Sequence, residues 1–362
     1  YCTPEQYEGA AGRFYRNNGD GTFSNWTERA GFLPTPGKTL GVAMLDYNRD
    51  GWMDLFVVND LERDLLYENN GDGPFTERGV MSGVAYSEEG AARAGMGADA
   101  GVVDSTGETT IFVGNFSREM IGVYRHLRDG LFVDRATVSR IGRPSLLSLT
   151  FGLFLFDVDL DADLDLFVAN GHVQSDIERV SRVIRYKQPA QLFLNRGDGT
   201  FEETVAAGGP LAQPLAARGA AYGDYDRDGD LDVLITENDG GARLWRNEVR
   251  PTAQTEAPRY VRVDLVGTES NRDGLGARVQ VEAGGHRQEQ LVRSGSSYLS
   301  QSEHTATFGL GSAERVDRLT VRWPSGQEDR IENVEANQTL RIVEGEGPQQ
   351  VPRSGWYTEG AE

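Results

Sequence analysis

Short apolar runs alternate with turns rich in Asp, Asn and Gly along most of the chain. The clearest runs are LFVVN at 55–59, LFVAN at 166–170 and VLITEN at 233–238. Turns of the form GDG separate further β-rich segments, as in FYRNNGDGTF at 14–23 and LFLNRGDGTF at 192–201. Asn-Gly and Asp-Gly are strong hairpin signals, because glycine accepts the positive φ that such turns need. The pattern predicts units of four short antiparallel strands.

An acidic loop of nine residues precedes each apolar run. The loops read DYNRDGWMD at 46–54, DVDLDADLD at 157–165 and DYDRDGDLD at 224–232, and we call them loops I, II and III. Positions 1, 3 and 5 turn side-chain oxygens into one concavity, position 6 makes the sharp turn and position 9 closes the cage. Hard oxygen ligands in a flexible loop suit Ca²⁺. The candidate ligands are Asp46, Asn48, Asp50, Trp52 and Asp54 in loop I; Asp157, Asp159, Asp161, Asp163 and Asp165 in loop II; and Asp224, Asp226, Asp228, Asp230 and Asp232 in loop III.

Two alternatives compete with a calcium-binding loop. An EF-hand begins in the same way, but it needs a bidentate Glu at position 12 and a helix after the loop. Position 12 is Val57, Val168 or Ile235, so the EF-hand interpretation fails. An ordinary acidic turn stays open, since Asp and Gly are common turn residues. Three copies in the same register favour about three structural calcium sites over that alternative.

The loops belong to a longer repeat. Loop starts fall at 46, 102, 157 and 224, and the second, VVDSTGETT at 102–110, has lost the carboxylates at positions 1, 5 and 9. We interpret it as a unit without a metal. Four-stranded units repeated at this period fit a β-propeller, in which radial stacking protects the sheet edges.

The loops resemble the FG-GAP or VCBS repeats of the integrin α-subunit head. From Tyr1 to about Val343 the chain resembles the ASPIC/UnbV, or cartilage acidic protein, family. The matching segments are YCTPEQYEG at 1–9, AARAGMG at 91–97, FVANGHV at 167–173, NRDGLGARV at 271–279 and RSGSSYLSQ at 293–301. The resemblance implies a calcium-bearing propeller, a small β domain after it, and a secreted, periplasmic or cell-surface location. Val102 and Thr110 depart from the calcium pattern, and Ala162 stands where glycine is usual.

The resemblance also implies a seven-bladed propeller, of which this chain supplies about four blades plus a half. We expect either that upstream blades precede this sequence or that the strand at 22–27 closes the unfinished unit at 219–247, and we favour the first. The predicted fold is all-β. A propeller spans 1–247, a linker 248–258, a small β-sandwich or barrel 259–344 and a disordered tail 345–362. Five or more antiparallel strands are predicted for the small domain, at 260–266, 277–283, 287–293, 305–310 and 317–323.

Composition narrows the partners. The formal net charge of −20 opposes binding to a polyanion, so we expect no nucleic-acid partner. The longest apolar stretch, 146–156, is too short to span a bilayer. Cys2 is the sole cysteine, so no internal disulfide can form.

Ligand-binding loops are predicted on the propeller face opposite the calcium loops. The longest, 171–188, carries a capping box at Ser175 and Glu178 and apolar residues at 177, 180 and 184, which predict a short amphipathic helix. Arg179, Arg182 and Arg185 on its other side, with His172, could bind an anion. The alternative is a solvated helix face. The polar segment 293–301 could bind a ligand or simply form turns.

The leading hypothesis is an extracellular calcium-binding propeller that acts as a binding or adhesion module for a protein or glycan. Neither a G-x-S-x-G elbow nor an H-E-x-x-H motif is present, which favours a protein without catalysis. The alternative is an enzyme of secondary metabolism that uses His172 and the three arginines on an anionic small molecule.

Overall fold

Antiparallel sheets of consecutive strands make up the first two thirds of the protein. The computed structural model describes residues 4–204, 209–248 and 258–350. Three sheets have four strands each and a fourth has three, and neighbouring strands in every sheet are consecutive in the chain. The strands of blade 1 and of the segment before it are β1 (Ala10–Ala11), β2 (Tyr15–Asn17), β3 (Phe23–Asn25), β4 (Pro36–Gly37), β5 (Thr39–Leu45), β6 (Asp54–Asn59), β7 (Leu65–Glu68) and β8 (Thr76–Glu77).

Blades 2 to 4 repeat this arrangement. Their strands are β9 (Gly95–Val102), β10 (Thr109–Asn115), β11 (Gly122–His126) and β12 (Phe132–Asp134); β13 (Thr150–Phe156), β14 (Asp165–Asn170), β15 (Gln191–Asn195) and β16 (Phe201–Glu203); and β17 (Ala217–Gly223), β18 (Asp232–Glu237) and β19 (Ala242–Trp245). The first strands of successive blades, β5, β9, β13 and β17, pack side by side. The sheets are therefore blades of a β-propeller, as predicted, and the first strand of each blade lies innermost.

Apolar side chains fill the spaces between neighbouring blades. Phe56 and Ile111 lie between blades 1 and 2, Phe112 and Phe193 between blades 2 and 3, and Phe167 between blades 3 and 4, and all five are almost fully buried. Strand β13 is buried along its whole length, which explains the long apolar stretch at 146–156. A blade covered on both faces has no solvent side, so its inner strands read as continuous apolar runs.

Helices are few and short. Within the described residues, two α-helical turns, α1 (Gly79–Ser82) and α2 (Gly142–Ser145), and two 3-10 turns, Ile177–Arg179 and Pro210–Ala212, lie in connections between strands, and a third 3-10 turn, Pro4–Gln6, precedes β1. The prediction of an amphipathic helix within 171–188 is wrong, because the only helical element in this segment is the 3-10 turn at Ile177–Arg179. The Ser181 hydroxyl accepts the N–H groups of Val183 and Ile184, a local turn that competes with helix. Val180 is exposed, whereas Ile184 is buried.

The segment before blade 1 forms its own hairpin. Strand β3 pairs with β2, and the Phe32 ring of the following connection contacts Phe75 and Tyr67 of blade 1, with centroids 5.0 and 4.7 Å apart. The alternative in which this strand completes blade 4 is therefore wrong, because within the described residues β19 pairs with β18 alone.

Residues 258–350, which we call the C-terminal domain, form two four-stranded sheets over one apolar core. The strands are β20 (Arg259–Val266), β21 (Arg278–Ala283), β22 (His286–Leu291), β23 (Ala306–Gly311), β24 (Arg315–Arg322), β25 (Glu328–Glu335), β26 (Gln338–Val343) and β27 (Gly347–Gln350). This is a β-sandwich, and its first five strands match the predicted segments. One expectation fails: β20 and β26 pair in parallel. The predicted disordered tail begins too early, since β27 pairs with β26, and 351–362 lie outside the described residues, as do Cys2 and most of the predicted linker.

The C-terminal domain lies against the propeller end that carries loops I to III. Between β22 and β23, the segment 293–301 runs along the inner strands of the blades. Ser297 donates its N–H to the Ala98 carbonyl, 2.9 Å away, and the Tyr298 ring meets Phe151 at 4.9 Å between centroids. The polar residues predicted as a possible ligand site in this segment thus contact the propeller itself.

Candidate metal centres

The first aspartate of each acidic loop organises the turn. In loop II, Asp157 accepts the N–H of Asp161 on Oδ1 at 3.1 Å and the N–H of Ala162 on Oδ2 at 3.0 Å. Asp46 of loop I accepts the same pair of bonds, and Asp224 of loop III accepts the N–H of Gly229. The loop therefore folds around its own carboxylate at position 1.

The aspartate at position 9 closes the loop from the other side. Asp165 accepts the N–H of Val158, at position 2, and the N–H of Asn195, at 3.0 and 2.8 Å. Loops I and III repeat both bonds. Asn195 is the last residue of the third strand of blade 3, and its equivalents in blades 1 and 4, Asn69 and Asn247, follow their third strands by one and two residues. The recurring aromatic-x-Asn motif therefore supports the acidic loop. The sequence analysis missed this role, although an Asn follows position 9 by 15 residues in both loop I and loop III.

Two residues of each loop have left-handed backbone. Position 6 has φ of 93° at Gly51, 86° at Ala162 and 105° at Gly229, which confirms the predicted sharp turn. Position 4 is also left-handed, with φ of 60° at Leu160 in loop II. A non-glycine residue pays about 1 kcal/mol for this conformation, so loop II, with Ala162 at position 6, carries more backbone strain than the other two.

Positions 1, 3 and 9 converge. Each residue of the triads Asp157, Asp159, Asp165 and Asp224, Asp226, Asp232 offers an oxygen, and within each triad these oxygens lie within 4.8 Å of one another. In loop I the residue at position 3 is Asn48. Position 5 stays outside the triads, where Asp161 and Asp228 each accept the N–H of the residue at position 7. Trp52, at position 7 of loop I, donates its N–H to Asp50 in the same way.

Several buried carboxylate oxygens in these triads accept no hydrogen bond. They are Oδ1 of Asp159, Oδ1 of Asp224 and Oδ1 of Asp226. A buried charged oxygen without a partner costs free energy that a cation would recover. Because every side-chain ligand in the triads is a hard oxygen, the donor set suits Ca²⁺ better than Zn²⁺ or Cu²⁺.

Burial raises the pKa of these carboxyl groups. The pKa of Asp157 lies well above its ordinary value, first because the group is buried and then because Asp165 and Asp161 are close. Burial also raises the pKa of Asp165 to about 8, of Asp54 to about 7 and of Asp232 to about 6. Without a cation, ionising each cluster is costly.

Blade 2 uses an ion pair where the other blades place an acidic loop. Arg125 Nη2 lies 2.7 Å from Asp104 Oδ2, and His126 Nδ1 lies 2.6 Å from Glu108 Oε2. His126 occupies the position of Asn195 in the repeat. Internal side-chain pairs thus join the loop to the third strand in the blade that was predicted to lack a metal.

The residues predicted to bind a ligand differ in their exposure to solvent. His172 is buried, its Nδ1 accepts the N–H of Gln174 at 3.1 Å, and burial lowers its pKa. Arg179, Arg182 and Arg185 are exposed. The cation next to His172 is Arg218, which donates to the His172 carbonyl at 3.1 Å.

No described helix has the length and apolar character that a bilayer crossing requires. Family models match two parts of the chain. A model described as ASPIC and UnbV matches residues 267–349, and a model described as FG-GAP-like repeat matches 6–57, 46–101 and 180–235.

Curated relatives extend over most of the chain. Cartilage acidic protein 1 of Homo sapiens is 24% identical over 312 residues, which cover 80% of this chain and 42% of the relative. The Mus musculus protein is 25% identical over 308 residues, covering 80% and 43%. This chain therefore spans about two fifths of the length of the curated relatives that it matches.

Solved structures show weaker similarity. An Agrocybe aegerita lectin, described as recognising non-reducing terminal N-acetylglucosamine, is 17% identical, covers 67% of this chain and 76% of its own, and has a TM-score of 0.33. An exo-β-1,3-galactanase of Phanerochaete chrysosporium is 11% identical, covers 90% and 88%, and also has a TM-score of 0.33. At TM-scores this low, we draw no conclusion from these structures.

The family models and the curated relatives identify the family. The chain carries FG-GAP-like repeats followed by an ASPIC and UnbV domain, and it is homologous to cartilage acidic protein 1.

Proposed function

We propose that this protein is an extracellular binding module whose propeller is stabilised by Ca²⁺ in loops I, II and III. The observation that carries the proposal is the set of buried, unpartnered carboxylate oxygens in the aspartate triads of loops II and III. The residues at positions 1, 3, 5, 7 and 9 would hold the cation. The metal would supply positive charge between aspartates that otherwise repel one another, and no chemical step is required of it.

The surface available to a partner is the end of the blades opposite the metal loops. Connections between second and third strands, and between successive blades, lie at this end, because the acidic loops join first to second strands at the other. Met81 and Val180 in these connections are each about three quarters exposed, and Arg179, Arg182 and Arg185, in the same connection as Val180, are exposed as well. Exposed apolar side chains next to arginines are typical of surfaces that bind proteins or glycans.

The enzyme alternative has less geometric support. His172 is buried, and burial lowers its pKa, while the three arginines lie in solvent. A general acid or base must reach the proton that it transfers, and His172 is 2% exposed. The geometry therefore favours binding over catalysis.

Calcium dependence of stability tests the metal part of the proposal. Melting curves of the parent chain would be measured in EDTA and in millimolar calcium. Calcium at a hundred times its dissociation constant should stabilise the fold by about 2.7 kcal/mol for each independent site. Asp157→Asn should reduce the difference, whereas Asp264→Asn, at an acid of the C-terminal domain paired with Arg341, should leave it unchanged. Identical curves in EDTA and calcium for the parent chain would refute the proposal.

A second experiment tests the binding end. The parent chain would be screened against arrayed extracellular-matrix proteins and glycans. Met81→Glu should abolish the strongest signal. Leu131→Glu is the matched control, because Leu131 is an exposed apolar residue of the hairpin between β11 and β12, at the metal-loop end. If only the Leu131 variant lost the signal, the binding surface would lie at the end that carries loops I to III, and the proposed location would be wrong.

A further inference from the structure

The C-terminal domain makes one hydrogen bond or ion pair with a buried aspartate in each of the four blades. Arg278 contacts Asp46 of blade 1, and Arg293 contacts Asp99 of blade 2. The N–H of Gly309 lies 3.1 Å from Asp157 Oδ2 of blade 3, and Arg262 Nη1 lies 2.7 Å from Asp224 Oδ2 of blade 4. Three of these aspartates are the position 1 residues of loops I, II and III. The C-terminal domain thus reaches the same carboxylate of every metal loop.

The chemistry of the donor differs among the loops. In loops I and III the donor is a guanidinium group, which carries a full positive charge at any physiological pH. In loop II it is a neutral backbone N–H. There is no room for a side chain at Gly309, since a Cβ there would collide with Asp157 and with the Leu160 backbone. An arginine at position 309 does not fit for the same reason.

At loop III, the guanidinium group of Arg262 leaves one carboxylate oxygen of Asp224 available to a cation. Arg262 and the Gly229 N–H both engage Oδ2 of Asp224, whereas Oδ1 is buried and accepts nothing. Arg246 adds a second positive charge, with its Nε 2.7 Å from Asp226 Oδ2. A divalent cation in loop III must therefore bind beside two guanidinium groups.

Loop I combines one guanidinium with fewer anionic ligands. Arg278 contacts Asp46, and position 3 is the neutral Asn48. Loop II has five aspartates. Within the ranges 4–204, 209–248 and 258–350, no lysine or arginine forms an ion pair with any of them. Loop II therefore presents the largest uncompensated negative charge.

We propose that Arg262 and Arg278 are positioning residues that rank the three loops by cation affinity, with loop II the strongest site. Each guanidinium orients the carboxylate at position 1 and at the same time repels an incoming divalent cation. This inference rests on the proposed calcium binding, and it reverses the order expected from the loop sequences alone, in which loop III, with five aspartates and a glycine at position 6, binds most tightly. At distances of a few ångströms, removing one positive charge should tighten divalent binding roughly tenfold.

Calcium titration calorimetry tests the ranking. Asp157→Asn should remove the tightest class of sites, and Asp224→Asn should leave it in place. Arg262→Met should tighten one weaker class about tenfold, and Arg262→Lys should restore the parent affinity because it restores the charge. Arg341→Met is the control of equal charge change, since Arg341 pairs with Asp264 within the C-terminal domain.

Loop I can be read out separately, because Trp52 belongs to it and neither loop II nor loop III contains a tryptophan. Luminescence of Tb³⁺ excited through Trp52 should report loop I, and Trp52→Phe should abolish it. Arg278→Met should shift this titration to about tenfold lower Tb³⁺, and Arg278→Lys should reverse the shift. Weaker or unchanged binding in the two methionine variants, or a tightest class that survives Asp157→Asn, would overturn the ranking while leaving calcium binding intact. A parent chain that binds neither ion would overturn both proposals.

Discussion

The backbone N–H of Asn195 donates to Oδ1 of Asp165 at 2.8 Å, and the Asn195 side chain donates to the Val103 carbonyl of the neighbouring blade at 2.9 Å. One residue thus joins its own acidic loop to the adjacent blade. Asn247 makes the equivalent bond from blade 4 to the Val158 carbonyl of blade 3. The metal loops and the blade interfaces are therefore mechanically connected.

Asn195→Ala is expected to cost about 2 kcal/mol, because it leaves buried carbonyl groups of Val103 and Leu164 without a donor. Asn69→Ala is the matched control. The Asn69 amide donates only within its own blade, to Met53, so its loss should cost about half as much. Urea denaturation of the two variants measures the difference. Equal losses would show that the bond between blades contributes nothing.

Gly309→Ala should displace the C-terminal domain from the propeller, since the new Cβ would collide with Asp157 and with the backbone of Leu160. Overpacking of this kind costs about 1–3 kcal/mol. Small-angle scattering should show a more extended particle, and trypsin should cut the segment between blade 4 and β20 faster. Gly73→Ala provides the comparison, because nothing lies within 4 Å of its added Cβ. A Gly309→Ala protein as compact and as resistant as the parent would contradict the close approach.

Arg218→Met should destabilise the fold, whereas Arg182→Met should not. Arg218 donates to the carbonyls of Gly171 and His172 at 3.0 and 3.1 Å, and it lies over the Phe151 ring at 4.2 Å. Losing these interactions should cost about 2 kcal/mol.

The exposed Arg182 should stay within about 0.5 kcal/mol of the parent. Thermal melting of both variants in the same calcium buffer gives the comparison. A large loss for Arg182→Met would mean that the arginines of 179–185 are structural, contrary to their exposure.

Glu344 should make the C-terminal domain sensitive to acid. Burial alone would raise the pKa of Glu344, but hydrogen bonds from Ser270, Ser325 and Thr268 outweigh it and lower the pKa to about 2. A depressed carboxyl pKa stabilises the fold fully above the unfolded value of about 4.5, and this contribution is lost as the pH falls from there towards 2.

Stability measured by urea denaturation between pH 6 and about pH 3 checks this. Glu344→Gln should flatten the part of the acid dependence that Glu344 causes and should lower stability at neutral pH. An unchanged acid profile in that variant would assign the dependence to other carboxyl groups.

The sequence by itself determined the repeat and the chemistry of its loops. Spacing between the acidic loops, Asp-Gly turns and apolar runs is local information, because each signal lies within one blade. The strand and the turn at position 6 followed from it, whereas only the structure separates the carboxylates at positions 1, 3 and 9 from the one at position 5. The five predicted strands of the C-terminal domain matched for the same reason, since period-2 alternation is local. The helix at 171–188 failed because the Ser181 turn overrode a pattern read from spacing alone, and Val180, expected on the apolar face, is exposed.

Only the tertiary structure decided what the acidic loops face. Arg262, Arg278 and Gly309 lie far from loops III, I and II along the chain, and nothing in their local sequence marks them as partners of aspartates. Each meets its loop because the sandwich docks on the metal-loop end and brings one donor to each blade. Electrostatic energy depends on distance in space and on burial. The proposed order of cation affinity among the three loops therefore depends on how the C-terminal domain docks, and it could not be predicted by counting the loops' own residues.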